Sequence, residues 1–215
     1  MNASLIHLAG MLLLASALAI LASPQLFPCI RLYAAHSFLL AVTTALTARR
    51  PGMEHLWIPA LLTLLLKVVV IPQVFFRMIR RIGIRREVES YINIPFSLIL
   101  AVLLLFLSFY GTAHLSDLSS VEQREFIPMA TATVFWGMLM MATRKKALTQ
   151  IVGLLLMENG LFLMAVTLTS GMPLLIELGI FFDVLVGVII MGVFVFKIRD
   201  AFEGIDVDDL TALKG

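Results

Sequence analysis

Cysteine is almost absent from this chain. Cys29 is the single one in 215 residues, which excludes an internal disulfide, a thiolate-held cluster and a cysteine-rich zinc site. Charge is scarce as well. Only 14% of the residues are charged against 60% hydrophobic, whereas a soluble globular domain has about a quarter charged and about half apolar. No nucleophile–base pair, phosphate-cradling loop or cluster of metal ligands can be read in the sequence, so a self-sufficient enzyme is not expected. The shortage of charge points to lipid as the solvent.

What is present is a series of long apolar runs. Seven can be read: Leu5–Ala22, Leu32–Ala48, Leu56–Phe76, Tyr91–Tyr110, Phe126–Ala142, Ala147–Thr169 and Met172–Phe196. Each has roughly the 17–25 residues that a helix needs to cross the hydrocarbon. None has the ten-residue alternation of an outer-membrane strand, so the expected fold is an all-α polytopic membrane protein. The run Leu5–Ala22 is not expected to be a cleaved signal peptide, because no Lys or Arg precedes it.

Basic residues concentrate in alternate connections. Arg77, Arg80, Arg81, Arg85 and Arg86 follow the third run, Arg144, Lys145 and Lys146 the fifth, and Lys197 and Arg199 the seventh. With seven spans these share one side with Arg31 and Lys214, opposite Arg49, Arg50 and Arg124. The positive-inside bias then predicts an external amino terminus and a cytoplasmic, acidic carboxyl terminus.

Ionisable groups inside the runs are the candidate functional residues, because each costs roughly 2.5–3.5 kcal/mol at the bilayer centre on insertion scales. At 1.5 Å per residue, Lys67 lies about 14 Å, Glu158 about 15 Å and Asp183 about 20 Å from the cytoplasmic face. These three share one depth near the midplane. Glu177 lies closer to the outer interface, as a possible entrance residue. Lys67 pairing with either carboxylate as a structural tie is one reading; a proton relay is the other, favoured because buried ion pairs stabilise little. His36, about 9 Å from the inner face of its run, fits packing or relay equally. The other histidines, His7, His55 and His114, fall near or beyond outer span ends, so no histidine metal site is expected. Met138, Met140 and Met141 read as lipid-facing filler. Gly153 and Gly160 in the sixth run, with Gly179 and Gly187 in the seventh, are expected to let those two helices approach closely and bring Glu158 to Asp183.

Several strings resemble a known family. Arg144-Lys145-Lys146, Ile151-Val152-Gly153-Leu154, Met157-Glu158-Asn159 and Asp183 followed by Gly187 resemble the small K subunit of complex I and its antiporter relatives. Over most of its length the chain is more similar to component E of the hydrogenase-4 and formate hydrogenlyase family. That resemblance rests on Leu156-Met157-Glu158-Asn159-Gly160, Glu177-Leu178-Gly179-Ile180 with Asp183, the end Thr211-Ala212-Leu213-Lys214-Gly215, Lys67-Val68 with Pro72, and Tyr33-Ala34.

The resemblance implies a division into residues 1–142, five membrane helices, and 143–215, a K-like two-helix segment with a short tail. It implies a membrane subunit of an energy-converting nickel–iron hydrogenase, in the cytoplasmic membrane of a bacterium or archaeon. Antiporter-like and other small membrane subunits would be its neighbours, with cytoplasmic hydrogenase and iron–sulfur subunits attached. The nickel–iron centre and the iron–sulfur clusters would belong to those partners, with no cofactor in this chain and no nucleic acid. The family's carboxylates, thought to carry part of a lateral proton path, fall on Glu158 and Asp183. Complex I would place its sixth-span acid at Leu155, one helical turn from Glu158 and on nearly the same face. Asp183 is a shorter acid than the Glu expected there. A subunit of a cation/proton antiporter assembly and a purely structural bridge remain open alternatives.

Overall fold

A computed structural model describes the backbone of residues 3–82, 90–113 and 125–168, with Gly179 and Gly187 beyond them, and within these the side chains from Leu8 onward except those of residues 81 and 82. The seventh apolar run, with Glu177 and Asp183, and the acidic tail lie outside the described residues. Within them the chain is a bundle of helices with no strand, only one isolated bridge between Ser90 and Arg144. Five helical stretches are long and apolar enough to cross a membrane, and the first helix adds a shorter apolar stretch, Leu8–Ala22. The chain is an all-α polytopic membrane protein.

Helix α1 runs Ala3–Ala22 and α2 runs Leu26–Ala48. The second helix starts six residues before the expected Leu32 and takes in Pro28 and Arg31. Pro28 falls in its first turn, where the missing N–H has no intrahelical partner to lose. After α2 the chain reverses through Gly52, whose φ of 83° is in the left-handed region that glycine adopts without strain.

The third crossing is one continuous stretch, Glu54–Arg80. It opens with a 3-10 turn, Glu54–Leu56, continues as α3 (Trp57–Thr63), widens into a π-helical segment, Leu64–Val70, and ends as α4 (Ile71–Ile82). Pro72 explains the widening. A proline ring clashes with the carbonyl four residues earlier and donates no hydrogen bond. The Ile71 N–H instead reaches back five residues, to Leu66 O, and the helix passes the proline unbroken. Of the seven π-segment side chains, Lys67 is the buried one, while Leu65, Val69 and Val70 face outward.

Helix α5 spans Ile94–Gly111 with Pro95 in its first turn, α6 spans Phe126–Thr143 and α7 spans Ala147–Leu168. α6 and α7 pack along their whole length, and glycine is the reason. A Cβ on Gly137 would lie 2.5 Å from Met157 N and 2.7 Å from Gly153 O; one on Gly160 would lie 2.9 Å from Ala130 O. Gly153 and Gly160 therefore abut α6, the fifth span, rather than the seventh as expected, because their face of α7 is matched by Gly137 and Ala130. Among the described residues, a Cβ on Gly179 would meet Phe162, at an ordinary 3.8 Å. The methionine expectation also divides. Met138 is exposed, but Met140 is fully buried in the core and Met141 lies against Gly153, since α6 is enclosed on more than one side.

The core gathers Tyr33, Phe75, Trp136, Val152, Leu155 and Leu156 from α2, α4, α6 and α7. Trp136 also donates its indole N–H to Ala101 O of α5, at 2.9 Å. Otherwise α5 is the most peripheral of the long helices: its small residues Ser97, Ala101 and Ser108 face inward, Leu104 and Leu105 pack against the core, and most of its other large side chains face outward.

Candidate functional site

Lys67 and Glu158 meet in the interior of the bundle. The Lys67 Nζ donates to Glu158 Oε1 at 2.8 Å, with the two side chains only 2% and 5% exposed. The π segment supplies the lysine and the middle of α7 the acid, far apart in sequence and level in depth. Lys67 Nζ also donates to Asn159 Oδ1 at 3.1 Å and lies 5.8 Å from the centre of the Phe162 ring, a cation–π distance. Glu158 and Asn159 are consecutive on α7, and the ammonium sits between them.

The network continues to α2. Asn159 Nδ2 donates to Ser37 Oγ at 3.0 Å. An ammonium has donors only, so it fixes the Asn159 carbonyl toward Lys67 and turns the amide nitrogen to the serine. Three spans are thereby joined through one buried amide. Asn159 and Ser37 are the residues that reading the sequence as a site missed. Asn159 was visible as part of the Glu-Asn-Gly string but carries no charge, and the cost argument for intramembrane groups ranks charges first.

His36, next to Ser37, is 2% exposed. Because α2 begins at Leu26, it stands ten residues into the helix, about 15 Å from that end, deeper than the 9 Å expected and level with Lys67. Its Nδ1 lies 2.9 Å from Ser16 Oγ of α1, and Ser16 Oγ donates to Leu13 O at 2.9 Å. With the single hydroxyl hydrogen committed there, Nδ1 is the side that donates to Ser16 Oγ. Among the described residues no three His, Cys, Asp or Glu side chains group to hold a metal.

A second buried cation lies at the edge of the bundle. Arg144, between α6 and α7, is 1% exposed and donates through Nη2 to Leu21 O at the end of α1. It satisfies one of the carbonyls that a helix end leaves over, at the negative end of the helix dipole. Burial lowers its pKa from the ordinary value, but a guanidinium begins so high that it stays charged.

A buried acid–ammonium pair inside a bundle of apolar spans marks a candidate functional centre. An uncharacterized protein of Mycobacterium tuberculosis is 32% identical over 207 residues, covering 96% of this chain and 94% of that protein. The hydrogenase-4 component E proteins of Escherichia coli K12 and Shigella flexneri are each 28% identical over 209 residues, covering 97% of this chain and 96% of theirs. The chain belongs to the hydrogenase-4 component E family. No family model and no solved structure matches it.

Proposed function

We propose that this chain is a membrane subunit of an energy-converting nickel–iron hydrogenase complex of the hydrogenase-4 or formate hydrogenlyase type, and that it forms part of a lateral proton path. The observation that carries the proposal is the Lys67–Glu158 contact of 2.8 Å inside the bundle. Near-full-length similarity to hydrogenase-4 component E supports the assignment to such a complex. In this reading Glu158 takes up and releases the proton, and Lys67 stabilises its charged form. Asp183 receives the proton on the seventh span, Glu177 stands at the outer entrance, and His36 borders the path on α2. The subunit itself is non-catalytic: the nickel–iron centre and iron–sulfur clusters belong to cytoplasmic partners, and antiporter-like subunits flank it in the membrane. The amino terminus is outside and the carboxyl terminus cytoplasmic.

The experiment uses inverted membrane vesicles carrying the assembled complex, with hydrogen turnover and the proton gradient followed together. Glu158→Gln is expected to retain assembly but lose most of the gradient formed per turnover. Asp183→Asn is expected to act in the same direction. Full coupling in both single variants and in the double variant would sink the relay and leave Lys67–Glu158 as a structural tie. Turnover that requires sodium would favour cation/proton antiport instead.

A further inference from the structure

A cleft of about 440 Å³, part polar and part apolar, lies apart from the Lys67–Glu158 centre, lined by Ser90, Ile92, Asn93, Ile94, Pro95 and Arg144. Four helix ends gather around it. α5 begins at Ile94, α6 ends at Thr143, α7 begins at Ala147, and α1 ends at Ala22, one residue from the Leu21 carbonyl that Arg144 holds. The pieces are fastened together: Tyr91 N–H donates to Thr143 O at 2.8 Å and Ser90 Oγ to the same oxygen at 2.9 Å. Where apolar spans end together, the surrounding medium is the headgroup layer of the bilayer.

Among the described residues the donors at this cleft are richer than the acceptors. Arg144 Nη2 is used by Leu21 O, but its buried Nε has no partner among the described residues. A buried charged donor without an acceptor is costly, which makes a bound anion favourable there. Asn93 stands at the N-cap of α5, yet its side chain caps nothing and is exposed. The first turn of this 18-residue helix adds the positive end of its dipole. Lys145, the next residue after Arg144, lies 5.0 Å from the ring centre of Tyr91, an exposed aromatic of the kind that settles at the lipid–water boundary. Beyond the cleft, the outward face of α5 is bare and apolar. Ile99 is 66% and Phe106 70% exposed, with Leu103 between them.

From this arrangement we infer that the cleft binds the phosphate of an anionic phospholipid, whose acyl chains lie along Ile99, Leu103 and Phe106 of α5. Arg144 and the amide of Asn93 donate to the phosphate, and Lys145 and Lys146 select for lipids of net negative charge. A zwitterionic headgroup brings its own cation toward these lysines and is held less well.

The full chain, purified in detergent, is exchanged against phosphatidylglycerol, phosphatidylcholine or inorganic phosphate, and retained lipid is counted by native mass spectrometry. The wild-type chain is expected to retain phosphatidylglycerol over phosphatidylcholine by about tenfold or more. Arg144→Gln should abolish that preference. Because Arg144 also holds α1, the deciding variant is Asn93→Asp. It keeps the side-chain shape and remains a favourable N-cap, so the helix content is unchanged, while its carboxylate repels the phosphate and removes the selectivity. Equal retention of the two lipids, or phosphatidylglycerol retention untouched by Asn93→Asp, overturns the inference. So does displacement of the lipid by millimolar inorganic phosphate, which would mark a site for a free anion.

Discussion

Lys67 and Arg144 are both cations with 1% of their surface exposed, yet the chain answers their charges in opposite ways. Lys67 sits deep in a span and faces a carboxylate from a distant helix at 2.8 Å. Arg144 sits where spans end and faces a backbone carbonyl. A carboxylate can gain a proton and let its partner go, whereas a carbonyl offers the same dipole at any pH. The residue types fit the tasks: an ammonium is a compact charge on a flexible stem, and a guanidinium is a planar fork that stays charged. The difference separates an ion pair, which protonation of the acid would break, from a charge–dipole contact, which no titration of the acceptor can break.

The largest effect should come from breaking the deep pair on one side. Lys67→Met leaves Glu158 buried against Asn159 and should destabilise the purified protein by about 3–5 kcal/mol, read as a fall in thermal midpoint in detergent. Removing both charges, as Lys67→Met with Glu158→Leu, should recover most of that loss, because the uncompensated charge is gone. If the double variant is as unstable as the single one, the pair is not an isolated unit. At the edge, Arg144→Met should cost about 1.5–3 kcal/mol through the charged hydrogen bond to Leu21 O, with no second-site rescue available. A double variant at Lys67 and Arg144 should be additive to within about 0.5 kcal/mol if the two regions are independent. The smallest effect is expected from Ser37→Ala, about 0.5–1.5 kcal/mol. It tests whether α2 belongs to the deep network, since the loss should shrink when Asn159 is replaced first.

How much of this could be read beforehand differs by residue. The apolar runs for α6 and α7 were legible to within a residue and that for α5 to within three, because nothing in them competes with the 20-residue requirement of the bilayer. α2 was read short at Pro28 and Arg31, since a proline in a first turn looks the same in sequence as one that ends a helix. Lys67 and Glu158 were placed level by counting 1.5 Å per residue, and they meet. Which faces the glycines serve was not legible: Gly153 and Gly160 mark a small-residue stripe, but the partner stripe on Gly137 is set by tertiary packing. Arg144 counted as a topology signal and as part of a family string but not as a buried group, because burial of a loop residue depends on helix ends that come from elsewhere in the chain.

The order of synthesis gives the Lys67–Glu158 contact one more consequence. Lys67 is made ninety-one residues before Glu158, so during insertion the cation waits in the membrane for its acid. A lysine stem is long enough to carry the ammonium toward the headgroups while it waits; a glutamate has less reach. The chain thus sends in first the partner that tolerates being alone, and α7 arrives against a counter-charge already in place.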